Sequence, residues 1–130
     1  MNYLGLDWGK RKIGVAIAEG EVKIASPILV LKYNGVNEAM EKIKKLIVDE
    51  EINVIVIGRP MGLKVDAKIS VDYLNFVSRL EKLGVKIEEV DERMTTRMSI
   101  RLKTQFDPKR NKNDDEVAAA LILQTYLDRL

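Results

Sequence analysis

Neither cysteine nor histidine occurs in the 130-residue sequence. Disulfide bonds are therefore impossible, and so are metal sites built from thiolates or imidazoles. Catalysis by a Ser-His or Cys-His pair is excluded for the same reason. A metal ion bound to this chain has to be a hard cation held by carboxylates.

The sequence is also poor in aromatic residues and has little excess charge of either sign. One tryptophan, four tyrosines and two phenylalanines provide no aromatic ladder for stacking on single-stranded nucleic acid. The 22 basic and 20 acidic residues leave a net charge of only +2. A surface for nucleic acid would therefore have to come from local clusters of basic residues.

Long apolar runs are absent as well. No segment approaches the length of a membrane span, and the N-terminus lacks the basic-then-apolar plan of a signal peptide. We therefore expect a cytoplasmic protein with no membrane partner. The composition, 46% hydrophobic and 32% charged, is typical of a globular protein, and the length fits one domain over residues 1–130.

The opening stretch, residues 3–19, carries the most informative pattern. An apolar run ends in Asp7, Gly9 permits a tight turn, and residues 13–18 alternate branched and small side chains with the period of a strand. Burying an unpaired carboxylate is costly, so Asp7 is expected at a strand end beside a cation, a metal or hydrogen-bond donors. A purely structural alternative is that Asp7 ends the strand and accepts hydrogen bonds from turn amides.

The rest of the chain alternates strand and helix patterns, in the order β-β-β-α-β-α-β-α-α, which predicts one mixed α/β domain. The run at residues 52–58 is almost continuously branched and apolar, as expected of a central strand covered on both faces. The other predicted strands cover residues 21–32 and 85–90. Four helices are predicted: one after a cap at Asn37, one over residues 66–83, one from Thr95 or Thr96 to about Lys103, and one after a cap at Asn113 or Asp114.

Acidic residues follow two of the strands and begin the last helix: Asp7, the pair Asp91 and Glu92, and Asp114 with Asp115. The carboxyl ends of parallel strands share one edge of a sheet. Carboxylates that converge there repel one another unless cations are bound, and two cations roughly 3.5–4 Å apart can hydrolyse a phosphodiester. Each acid also has a structural alternative, because acids favour helix starts and keep strand ends soluble.

Basic residues accompany these acids. Three lie at the turn after Asp7, three precede Asp115, and three arginines follow Glu92 at spacings of four, which places them on one helix face. Phosphate contacts from such residues position a nucleic acid without reading its sequence. Trp8 either stacks on a base or packs in the core. The predicted nucleic-acid-binding residues are Lys10, Arg11, Lys12, Arg59, Arg93, Arg97, Arg101, Lys109, Arg110 and Lys112.

Four motifs together resemble the YqgF/RuvX family of the RNase H-like superfamily, in order and spacing over nearly the whole chain. They are Gly5-Leu6-Asp7-Trp8-Gly9 with Lys12-Ile13-Gly14-Val15-Ala16, Val56-Ile57-Gly58-Arg59-Pro60, Asp91-Glu92-Arg93-Met94-Thr95-Thr96, and the stretch from Asp115 to Tyr126.

The resemblance implies an RNase H-like mixed five-stranded sheet with helices on both faces. It also implies a nuclease that matures the 5′ end of the 16S ribosomal RNA precursor, with structured RNA favoured over DNA and a ribosome precursor as a possible partner. Position by position, it makes Asp7, Glu92 and Asp115 the catalytic and metal-binding acids, with Asp91 as the competitor of Glu92. Mg²⁺ or Mn²⁺ in a two-metal site is the implied cofactor.

The sequence departs from the family pattern in two ways. Arg59 stands where the family usually has an apolar residue, and the strand that ends at Gly58 carries no acid, so the third metal ligand stays open. Three alternatives remain: a Holliday-junction resolvase acting on DNA, a non-catalytic nucleic-acid or ribosome-associated module, and a nucleotide hydrolase related to sugar kinases and actin. The last needs a second lobe, which 130 residues do not supply.

Overall fold

A computed structural model of the chain describes residues 1–60, 70–91 and 115–130, which contain five strands and three helices. These elements are β1 (Asn2–Asp7), β2 (Lys12–Glu19), β3 (Ser26–Lys32), α1 (Val36–Asp49), β4 (Val54–Arg59), α2 (Val71–Glu81), β5 (Lys86–Asp91) and α3 (Asp115–Leu127).

The five strands form one mixed sheet in the order β3-β2-β1-β4-β5. Strands β1, β2 and β3 are consecutive antiparallel neighbours, whereas β4 is parallel to β1 and β5 is parallel to β4. The carboxyl ends of β1, β4 and β5 therefore lie together at one side of the sheet, which we call the carboxyl edge.

Helices cover both faces of this sheet, as the sequence predicts. Helices α1 and α2 pack on one face against the odd-numbered positions of β4, including Ile55 and Ile57. Helix α3 packs on the other face against Val54 and Val56. Side chains at all four positions are buried, which explains why β4 reads as a continuous apolar run.

Two glycines let α3 lie directly on the sheet. A Cβ atom at Gly5 would lie 2.7 Å from Cβ of Leu123 and 2.8 Å from the carbonyl oxygen of Ala119. A Cβ atom at Gly58 would lie 2.5 Å from Cδ1 of Ile122. A side chain at Gly5 would collide with the backbone of α3, whereas one at Gly58 would displace the end of the Ile122 side chain.

Several element boundaries differ from those predicted. The strand expected over residues 21–32 begins only at Ser26, because residues 20–22 form a turn that leaves Val22 57% exposed. Pro27 lies on the edge strand β3 beside a register irregularity, where a residue without a backbone N–H is tolerated.

The first two helices also begin elsewhere than predicted. Helix α1 follows Gly35, whose φ of 89° suits glycine, and the Asn37 side chain accepts a hydrogen bond from Arg79 instead of capping the helix. Helix α2 starts after Ser70, so the predicted span of 66–83 is wrong at that point. Residues 66–69 and the helix predicted from Thr95 or Thr96 lie outside the described residues. None of the described helices is long and apolar enough to cross a membrane.

Candidate active site

Asp7 is the last residue of β1 and lies, half-buried, at the carboxyl edge. Tyr3 and Gly5 contact α3, so the alternation of strand side chains places Asp7 on the α3 face as well. The strand register places Gly14 of β2 beside Asp7, and continuing the β1–β4 register places Gly58 on its other side. Neither neighbour has a side chain that could cover Asp7, and the Ile122 side chain of α3 packs over Gly58.

The backbone of α3 brings Asp115 towards the same place. The rings of Tyr3 and Tyr126 lie 5.9 Å apart, and Gly5 meets Ala119 and Leu123, so α3 runs antiparallel to β1. Asp115 precedes Ala119 by four residues, about 6 Å of helix, and Asp7 follows Gly5 by about 6.7 Å of strand. The first turn of α3 and the end of β1 therefore meet at the carboxyl edge.

Asp91 ends β5 but belongs to the opposite face. Val90 packs in the core beneath α3, and Asp91 is paired in register with Arg59 on the α1/α2 face. The structure thus places Asp7 and Asp91 at the same edge but on different faces of the sheet. The competitor acid, Glu92, lies outside the described residues.

The described side chains contain no group of three or more acidic residues that could hold a metal ion. Glu92 and the side chain of Asp115 are not among these described side chains. The donor chemistry of the chain nevertheless fits a hard divalent cation, since it offers carboxylates and has no histidine or cysteine to favour a softer metal.

Arg59, a predicted nucleic-acid contact, ends β4 on the α1/α2 face. Its guanidinium nitrogen Nη1 lies 3.8 Å from Oε2 of Glu89, and both side chains are substantially exposed. An exposed ion pair of this kind is worth at most about 1 kcal/mol, so a phosphate can compete for the guanidinium.

Tyr33, which follows β3, anchors the basic turn between β1 and β2 through two hydrogen bonds. The Tyr33 hydroxyl donates a hydrogen bond to the carbonyl oxygen of Gly9, and its amide donates to the carbonyl oxygen of Arg11 at 3.1 Å. Burial raises the pKa of the Tyr33 hydroxyl, which therefore stays protonated and able to donate at neutral pH. Lys10 and Arg11 are exposed at this anchored turn.

Lys32 is a basic residue of this region that the sequence reasoning missed. It lies directly opposite Lys12 in the β2–β3 ladder, next to the position of Gly14 and Asp7. Two lysines in register repel each other, so this arrangement is costly without an anion. They line a hollow of about 400 Å³ together with Arg11, Tyr33, Asn34 and Glu38. Only the pairing register reveals Lys32, and spacing along the chain does not.

Trp8 packs against the core on the α1/α2 face. Its ring meets Tyr73 edge to face at 5.7 Å and Phe76 at 6.4 Å, while part of the indole stays exposed. The remaining predicted contacts for nucleic acid, Arg93, Arg97, Arg101, Lys109, Arg110 and Lys112, lie outside the described residues.

The profile of the family described as RuvX, Holliday junction resolvase, matches residues 1–129. The chain belongs to the RuvX family. The resemblance drawn from the four motifs is confirmed, and so is the prediction of an enzyme class, because nucleases of this family are hydrolases that act on phosphodiester bonds.

Relatives of the RuvX chain named as pre-16S rRNA nucleases are similar along almost their whole length. The protein of Natranaerobius thermophilus is 33% identical, with 99% of this chain and 95% of the relative covered. That of Roseiflexus sp. is 36% identical, with coverage of 96% and 92%. That of Clostridium botulinum is 35% identical, with coverage of 100% and 98%.

Solved structures share the fold of this RuvX chain at low sequence identity. RuvC of T. thermophilus in complex with a Holliday junction superposes with a TM-score of 0.66 at 12% identity, covering 99% of this chain and 94% of RuvC. The large terminase nuclease of a thermophilic phage, solved with bound magnesium, gives 0.60 at 10% identity, with coverage of 96% and 80%. The predicted mixed five-stranded sheet with helices on both faces is confirmed.

Proposed function

We propose that the chain is a metal-dependent nuclease that hydrolyses phosphodiester bonds in the maturation of the 5′ end of the 16S ribosomal RNA precursor, acting as a single domain over residues 1–130. The relatives at 33–36% identity are named pre-16S rRNA nucleases. The structural observation that carries the proposal is the meeting of Asp7 and the first turn of α3 at the carboxyl edge, between two glycines.

We assign Asp7, Glu92 and Asp115 to the metal site, with Mg²⁺ or Mn²⁺ as the bound cation. The proposed site holds two such ions. Asp91 is the weaker candidate, because strand alternation turns it to the face opposite Asp7. When bound, such cations supply a nucleophilic water and neutralise charge on the phosphate. The amino end of α3 adds a partial positive charge beside Asp7, which favours an anionic substrate at this edge.

The chain's own basic residues then hold the substrate backbone. Lys12 and Lys32 lie on the next two strands, two residues beyond the ladder position that Gly14 shares with Asp7, which is roughly 8 and 12 Å from Asp7. A phosphate between the two ammonium groups would relieve their repulsion. Arg11 is exposed beside them, and the acid in the same hollow, Glu38, is bound to Lys42 and to the amide of Asn34. The hydrogen bond from the Asn34 amide, followed by that from the Lys42 ammonium, lowers the pKa of the Glu38 carboxyl.

A cleavage assay tests this proposal. Precursor 16S RNA and a four-way DNA junction are incubated with the protein in Mg²⁺, in Mn²⁺ and in chelator. We expect metal-dependent cleavage of the RNA and a loss of more than about 100-fold in Asp7→Asn, because the lost charge belongs to the metal site. Asp49→Asn is the matched control, since Asp49 is exposed at the end of α1.

The outcomes separate the candidate functions. Cleavage of the junction but not of the RNA would favour the Holliday-junction resolvase suggested by the family description. RNA binding without cleavage in any metal would favour a non-catalytic module. Cleavage that is unchanged in chelator would contradict the metal mechanism.

A further inference from the structure

A cavity of about 360 Å³ opens on the α1/α2 face, next to the end of β1. Three aromatic side chains form its walls: Trp8 after β1, Tyr33 after β3 and Phe76 in α2. Two of them are anchored in the core, since Tyr33 is 8% exposed and Phe76 only 2%. These two side chains give the cavity apolar walls that are held in place by core packing.

Polar groups of three kinds lie around the mouth of this cavity: an ammonium, a carboxylate and an amide. The ammonium of Lys10 lies 3.9 Å from Oδ2 of Asp72, and the two side chains are 74% and 65% exposed. Such a long, exposed pair is weak and separates easily when either group finds a better partner. The third group is the amide of Asn75, one turn along α2 from Asp72, which both donates and accepts hydrogen bonds.

This combination matches the chemistry of a nucleotide. A base needs an aromatic surface for its flat face and mixed donors and acceptors for its edge, whereas its phosphate needs a cation. The indole of Trp8 is held edge to face by Tyr73, so its orientation is fixed before any ligand arrives. Rigid aromatic walls with a few polar groups at fixed positions are typical of small-ligand sites, and the volume lies in the usual range.

The position of the cavity relative to Asp7 gives it a role. Asp7 and Trp8 are consecutive, yet Asp7 lies on the α3 face while Trp8 packs on the α1/α2 face. A nucleic-acid strand that crosses the carboxyl edge can therefore present a phosphodiester on one side and a base on the other.

We propose that this cavity receives one unstacked nucleobase of the substrate strand, with the base against Trp8, its edge at Asn75 and Asp72, and the adjoining phosphate at Lys10. The proposal rests on the proposed function, because it concerns the same substrate. It predicts that the enzyme binds best where a nucleotide next to the cleaved bond is unpaired or readily unstacked.

The single tryptophan of the chain makes the test direct, because all intrinsic tryptophan fluorescence comes from Trp8. The protein is titrated in chelator, so that no cleavage occurs, with a short single-stranded RNA and with an abasic RNA of the same length. The two ligands share their phosphates and differ only in their bases. We expect saturable quenching of Trp8 by the first RNA, and at least about fivefold weaker binding with little quenching by the second.

Two variants in α2 complete the experiment. Asn75→Ala should weaken binding of the base-containing RNA several-fold and leave binding of the abasic RNA unchanged. Ser78→Ala, an exposed position of the same helix that does not line the cavity, should change neither. Fluorescence anisotropy of labelled RNA measures the affinities independently of Trp8.

The proposal is overturned if both RNAs bind equally and Asn75→Ala has no effect, or if neither RNA binds. Failure of the proposed function looks different: the base-containing RNA would still quench Trp8, but no substrate would be cleaved in Mg²⁺ or Mn²⁺. Active cleavage combined with equal binding of both RNAs would reject the base site alone.

Discussion

Three glycines lie close to Asp7 in the sheet. Gly14 and Gly58 flank it in the neighbouring strands, and Gly5, two residues earlier, lets α3 come down onto the sheet. A larger residue at any of the three positions would narrow the space around the carboxylate or lift the helix. The position of this acid is thus a property of a small group of residues and not of Asp7 alone.

Asp115 tests the proposed site at the level of one residue. If it only stabilises the start of α3, Asp115→Asn should cost little activity, because asparagine serves helix starts nearly as well as aspartate. If it binds metal, turnover should fall by more than about 100-fold. The change in stability should stay within about 0.5 kcal/mol in both cases. Cleavage rates and urea unfolding of the same preparation provide both quantities.

The neighbouring acids serve as controls for Asp115. Glu92→Gln should resemble Asp115→Asn, whereas Asp91→Asn should retain most activity because Asp91 faces the other side of the sheet. Near-normal cleavage by Asp115→Asn would remove it from the site, and the three-acid assignment would then have to be abandoned.

Among the elements, the pair of edge strands β2 and β3 carries the opposed lysines. We expect Lys32→Gln to stabilise the free protein by about 0.2–1 kcal/mol, because it removes repulsion with Lys12. RNA binding should weaken at the same time, and its salt dependence should flatten by up to about 0.7 per lost phosphate contact. Binding titrations at several salt concentrations measure this slope.

Lys45→Gln is the matched control for Lys32, since Lys45 is an exposed lysine on α1. An alternative role for Lys32 is to protect the sheet edge, because lysines on edge strands also prevent the sheets of two molecules from pairing. In that case Lys32→Gln would leave RNA binding unchanged and increase self-association of the protein.

The contact between α3 and β1 determines how closely the helix packs on the sheet. Gly5→Ala places a methyl group against the backbone of α3, so we expect a loss of about 1–3 kcal/mol in the free energy of unfolding and a lower turnover of the folded enzyme. Gly84→Ala is the control, because Gly84 has a φ of 85° with no atom within 4 Å of the added carbon. It should lower stability through backbone strain alone and leave turnover unchanged.

At the scale of the whole molecule, binding of a metal ion should stabilise the folded state by mass action. At a Mg²⁺ concentration 100 times the dissociation constant, the gain is about 2.7 kcal/mol, or roughly 10 °C in Tm for a domain of this size. Thermal unfolding with Mg²⁺ and with chelator measures it without any substrate. Asp7→Asn should lose most of the shift and Asp49→Asn should keep it; an equal shift in both would mean that Mg²⁺ binds elsewhere.

Local pattern was enough to predict much of this architecture. The branched run of β4 and the turn after Asp7 both follow from nearest neighbours along the chain, and both are confirmed. The order of the motifs also predicted the family, and with it the five-stranded sheet covered by helices on both faces.

Features that depend on which strands become neighbours could not be predicted in the same way. The pairing of Lys12 with Lys32 and the opposite faces of Asp7 and Asp91 are consequences of strand register. The helix starts were misplaced because the φ of Gly35, and not the capping tendency of Asn37, decides where α1 begins. The cavity beside Trp8 joins residues from three separate parts of the chain.

The packing of α3 on β1 has a consequence for how the protein is made. Tyr3 and Gly5 belong to β1, whereas their partners Leu123 and Tyr126 are synthesised more than a hundred residues later. Until then β1 lacks its contact with α3, and Asp7 does not yet have this helix beside it. The proposed active site is therefore incomplete in the nascent chain until α3 has been synthesised.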